Sequence, residues 1–85
     1  MNNQNEIAET VESLENWMIE TNANDISTIV AIQGLANEIK ADLDAVWARY
    51  CDGYVINKEA QRVMVSTVRN VQQWCEASLR FTQYA

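Results

Sequence analysis

The sequence predicts an all-α fold: a three-helix bundle in which a short first helix packs on a long antiparallel hairpin made by the second and third. Three observations carry that expectation. Proline is absent and glycine occurs only twice, which removes the residues that sheet proteins need at their turns. A helical period runs unbroken from Asp25 to Asp52. Hydrophobic residues make up 48% of the chain, with three Trp, three Tyr and one Phe, more core formers than a disordered chain carries.

The first helix is expected over about residues 5–21. Ile7, Val11, Leu14 and Met18, with Trp17 at the margin, follow the i, i+4, i+7, i+11 spacing of an amphipathic helix. Glu6, Glu9, Glu12, Glu15 and Glu20 occupy the other half of the wheel. Early carboxylates suit the positive end of the helix dipole, which Glu20 does not. Residues 1–4 are polar and expected to fray. Asn22, Ala23 and Asn24 form a short connection, with Asn24 or Asp25 capping the next helix. A connection this short makes the two helices antiparallel neighbours.

The second helix is expected over about 25–52. Ile29, Ile32, Leu35, Ala36, Ile39, Leu43, Val46, Trp47 and Tyr50 share a sector roughly 120° wide, the stripe of a core-facing helix. Its far side carries Gly34, Ala41, Ala45 and Ala48, small enough for another helix to approach. Gly53 stands where a left-handed C-terminal cap is wanted.

Tyr54, Val55 and Ile56 make an apolar connector, and Asn57 caps a third helix over about 58–81. Its expected buried face is Ala60, Val63, Met64, Thr67, Val68, Val71, Trp74, Cys75 and Ser78, with Phe81 at the edge. RVMVSTV has strand propensity, but the 3.6-residue period persists along the segment and alternation does not.

At 85 residues the chain is expected to form one helical domain, residues 1–85. Such a domain buries only about 60–65% of its unfolded surface, so self-association is expected to supply further burial. Unequal helix lengths point the same way. If the chain turns near Asn22, the first helix covers the second only as far as about Ala41. Leu43, Val46, Trp47, Tyr50, Tyr54, Ile56 and Met64 would then form an exposed apolar end, larger than soluble monomers tolerate. That end is the expected interface with a partner or a second copy, a two-fold homodimer being the simplest symmetry.

Charge narrows the function classes. The net charge is −6 and unevenly spread. Residues 1–30 hold six acids and no base, residues 31–57 four acids and two bases, and residues 58–85 two acids and four bases. The first and third helices are thus complementary, while the whole molecule repels polyanions, and direct nucleic-acid binding is not expected. Arg62, Arg69 and Arg80 form a basic stripe within roughly 20° on the third helix. Glu9, Glu12 and Glu15 form an acidic face that suits a basic cleft.

Catalytic chemistry finds no support. Histidine is absent, which excludes an imidazole base, Ser-His or Cys-His nucleophiles and histidine metal ligands. Cys51 and Cys75 would lie about 25 Å apart along the hairpin, too far for a disulfide and too few for a zinc site. Carboxylate pairs that bind two irons need Glu-x-x-His. No cofactor, metal or catalytic residue is expected.

MNNQNEIAET has no basic region followed by an apolar run, so no secretory signal is expected, and no window reaches the roughly 20 apolar residues of a membrane span. The expectation is an acidic, cytoplasmic, non-enzymatic helical protein that acts by protein–protein interaction, as an inhibitor or adaptor of a larger protein. A structural assembly subunit or a nucleic-acid-associated regulator is the alternative.

Overall fold

The computed structural model describes residues 4–83 and is an all-α three-helix bundle, with no strand among the described residues. Helix α1 spans Gln4–Glu20, α2 Ile26–Cys51 and α3 Lys58–Gln83. The bundle is an elongated body with extents of 49 × 21 × 20 Å. The α2–α3 hairpin forms the largest helix–helix contact, and α1 lies along one side of it.

Local chemistry sets the boundaries. Asp25 caps α2: its Oδ1 accepts from the Thr28 N–H at 3.2 Å and its Oδ2 from the Thr28 hydroxyl at 2.7 Å. The Thr28 hydroxyl, and then its amide, hold the Asp25 carboxyl below the usual carboxylate range. Gly53 ends α2 with φ +103°, in the left-handed region. There the Gly53 N–H donates to Tyr50 O at 3.0 Å and the Tyr54 N–H to Arg49 O at 3.1 Å, the paired bonds of a Schellman C-cap. Asn57 caps α3, its Oδ1 accepting from the Ala60 N–H at 3.1 Å.

One core runs through all three helices. Leu14, Ile29, Ile32, Leu43, Val68, Val71 and Cys75 are fully enclosed, and Ile7, Val11, Ala36, Ile39, Val46 and Met64 complete the cluster. Val63, expected in the core, is 56% exposed, whereas Gln61 is only 4% exposed. The inward stripe of α3 is Gln61, Met64, Val68, Val71 and Cys75, an alternating spacing of three and four residues. That spacing turns Val63 outward. Gly34, Ala41, Ala45 and Ala48 face solvent on α2.

The reach of α1 differs from the expectation. Gln4, expected to fray, is the first residue of α1 and clamps the start of α3. Its Nε2 donates to Asn57 O at 2.9 Å and to Gln61 Oε1 at 3.3 Å, and its Oε1 accepts from the Asn57 N–H at 3.0 Å. Residues 1–3, also expected to fray, lie outside the described residues. The chain turns later than Asn22: the Asp25 N–H donates to Asn22 O at 2.9 Å and the Ile26 N–H to Asn24 O at 3.1 Å. Gln4 and Asn5 reach past Ala41 to the level of Val46, and Gln4, Asn5 and Val46 border one depression.

Candidate functional site

The farther reach of α1 corrects the composition of the expected interface. Leu43 is 0% exposed, and Val46 and Met64 are 5% exposed, enclosed by their own chain; they belong to the core. Tyr50 and Ile56 are half-buried. Trp47 remains 46% exposed and Tyr54 65%, and Val55 between the helices is 97% exposed. The bare apolar surface at this end is therefore smaller than expected and mostly aromatic.

Trp47 stands at one end of a groove on the outer face of the α2–α3 hairpin, away from α1, whereas Tyr54 borders the depression beside Gln4 and Asn5. The groove encloses about 570 Å³ and is bordered by Asp44 and Trp47 from α2 and by Lys58, Arg62, Val65 and Arg69 from α3. Its floor is fixed by Gln61, whose Nε2 donates to Leu43 O at 2.8 Å and ties the two helices together. Farther along the same face, Gln72 Nε2 donates to Asn37 Oδ1 at 2.9 Å. Trp47 stacks on Tyr50 with ring centroids 5.0 Å apart and 34° between planes. Lys58 Nζ sits 5.4 Å from the Tyr50 ring centroid, within cation–π range. Trp47 is thus held by its neighbours but only partly covered.

The basic stripe divides. Arg80 pairs with Glu76 at 2.6 Å, and Lys40 pairs with Asp44 at 2.6 Å. Arg62 and Arg69 border the groove and have no carboxylate partner within ion-pair distance among the described residues. These two arginines and the carboxylates of Glu12 and Glu15 face different sides of the bundle. Glu9, Glu12 and Glu15 are exposed. Glu12 and Glu15 border a different depression, the α1–α3 seam lined by Ala8, Val63 and Thr67.

The spacing of Arg62 and Arg69 signalled their common face in the sequence. Their position on the far side from α1 follows only from the tertiary arrangement. At the other end of the bundle, sequence reasoning missed the exposure of Ile19, Ile26 and Val30; each is hydrophobic and adjoins a buried stripe.

No group of three or more Cys, Asp or Glu side chains is placed to hold a metal ion among the described residues. Cys51 is exposed and Cys75 buried, both as free thiols, and burial pushes the Cys75 thiol up from its ordinary pKa. No described helix is long and apolar enough to cross a membrane. No protein-family model matches the chain, and neither a curated protein nor a solved structure matches it.

Proposed function

We propose that this protein is a non-enzymatic binding module that acts on a larger protein or complex as an inhibitor or adaptor, through the outer α2–α3 groove and the adjoining tip. The observation that carries this reading is the half-exposed Trp47, stacked on Tyr50 at 5.0 Å beside two arginines without carboxylate partners. Trp, Tyr and Arg are the residue types that dominate binding energy at protein interfaces. A surface tryptophan braced by a second ring loses little side-chain freedom on binding.

The groove also sets the chemistry of the partner. Lys58, Arg62 and Arg69 along one wall favour an acidic segment, and a furrow between two long helices suits a third helical rod. Direct contact with nucleic acid has less support, because the molecule carries net charge −6 and would be repelled before the groove was reached. Two free thiols suit a reducing compartment, in keeping with a cytoplasmic setting.

Affinity capture from native cells tests the reading, comparing wild type with Trp47→Ala and with Arg62→Ala/Arg69→Ala. All three side chains are at the surface, so the variants should keep their helical circular dichroism. Proteins bound through the groove should drop at least tenfold in recovery with both variants. Equal recovery of every captured protein by all three forms would refute the groove as the binding surface.

A further inference from the structure

We propose that the α2–α3 groove is filled by the acidic face of α1 from a second copy of this chain, in a head-to-tail contact that repeats from molecule to molecule. The proposal rests on the groove being a protein-binding surface and adds the identity of its occupant.

Charge supplies the first argument. Helix α1 carries Glu6, Glu9, Glu12, Glu15 and Glu20 and no cation. The groove presents Arg62 and Arg69 without carboxylate partners among the described residues, and Lys58 beside them. Within one molecule Glu12 and Glu15 face away from these arginines. Glu12 and Glu15 border the α1–α3 seam, and the groove opens on the other side of a body 20 to 21 Å thick.

Spacing supplies the second. Glu9 and Glu15 are six residues apart, a rise of about 9 Å, and Arg62 and Arg69 are seven apart, about 10.5 Å. With Glu12 centred on the groove, a docked α1 running antiparallel to the receiving α3 therefore brings Glu15 level with Arg62 and Glu9 level with Arg69, one about 60° to either side of Glu12. Ile19, 70% exposed, lies one turn beyond Glu15 on the same face of α1. In this register it comes level with the Trp47–Tyr50 pair, which gives the exposed rings an apolar partner.

Symmetry follows from the opposed faces. A two-fold dimer needs one patch that meets itself, whereas donor helix and receiving groove lie on opposite sides of the same molecule. The contact is therefore heterologous and propagates into an open chain or a ring, in place of the two-fold dimer expected from sequence.

Sedimentation velocity of the full chain across concentration and salt tests this. At about 0.1 M salt, with a screening length of ~10 Å, the wild-type mass should climb with concentration above the 9.7 kDa monomer. At about 1 M salt, where that length is ~3 Å, it should fall back. Arg62→Ala/Arg69→Ala should stay monomeric, and so should Glu9→Gln/Glu12→Gln/Glu15→Gln. An equimolar mixture of the two should form a discrete 1:1 dimer, because it retains one intact acidic helix and one intact groove. A wild type that stays monomeric at high micromolar concentration, a triple or double variant that still grows, or a mixture that stays monomeric overturns the proposal. A monomeric wild type whose capture of another protein still depends on Trp47 would sink this inference and leave the proposed function standing.

Discussion

Replacing Gln61 by glutamate alters a few atoms and tests the central packing argument. Gln61 is 4% exposed, donates from Nε2 to Leu43 O at 2.8 Å and accepts at Oε1 from Gln4 at 3.3 Å. In Gln61→Glu an ionised carboxylate oxygen would face the Leu43 carbonyl oxygen, acceptor against acceptor, and a charge would be placed at a position only 4% exposed. Together these cost about 3 kcal/mol at neutral pH. Domains of this size have roughly 4–13 kcal/mol in total. An unfolding entropy of about 180 cal/mol/K for a chain of this length turns that cost into a fall in Tm of about 17 °C.

The sign with pH follows from the protonated form. A neutral carboxyl can donate to Leu43 O, so burial raises the folded pKa of the introduced glutamate above the roughly 4.3 of an exposed one. The deficit is therefore full above the folded pKa, shrinks as pH falls through it, and is gone below the unfolded value. Gln61→Leu supplies the contrast. Leu43 O sits inside α2, where the helix ladder supplies a donor, and Gln4 Nε2 retains Asn57 O. No buried group is orphaned, so this variant should stay within about 1 kcal/mol of wild type. Thermal melts by circular dichroism between pH 4 and pH 8 are the assay. A Gln61→Glu protein as stable as wild type at pH 7, or one whose deficit does not change with pH, would refute the reasoning.

Further outcomes follow from single positions. Gly34 lies inside α2, and a Cβ there would meet nothing within 4 Å, so Gly34→Ala should raise stability by about 0.5–1 kcal/mol, read as a higher denaturant midpoint with an unchanged slope. The lowered pKa of Asp25 contributes stability that is present above its unfolded value and lost as pH falls through the folded one; Asp25→Asn should retain the cap and flatten that part of the acid profile. In a thiol-reagent time course, exposed Cys51 should react promptly and buried Cys75 only as the fold opens; equal rates would contradict the packing of α3. Leu14 is 0% exposed, and Leu14→Ala should cost about 2–5 kcal/mol, checked by urea denaturation.

Much of the fold was legible because helix chemistry is local. The apolar stripe of α2, the Asn57 cap and the Gly53 stop depend on residues within one or two turns of each other, and the sequence states them directly. The buried stripe of α3 was also present, as the alternating spacing of Gln61, Met64, Val68, Val71 and Cys75. A polar residue at its head and two valines on its flanks, Val63 and Val65, concealed it. Hydrophobicity by residue type drew Val63 inward, whereas the packing requires the position of Gln61, which satisfies its amide on Leu43.

What the sequence determined by itself is which residues share a face within each helix, because periodicity acts over a few residues. What only the tertiary structure decided is how the helices are set along one another. The clamp from Gln4 to Asn57 joins residues 53 apart in sequence, and no local pattern encodes it. That clamp encloses Leu43, Val46 and Met64 and leaves Trp47 at the surface. It also holds α1 against one side of the hairpin, so the side that carries Arg62 and Arg69 stays open. The reason is physical: a helix fixes its own faces through bonds between neighbours, but its register against another helix depends on where the connection turns and on which distant groups satisfy each other.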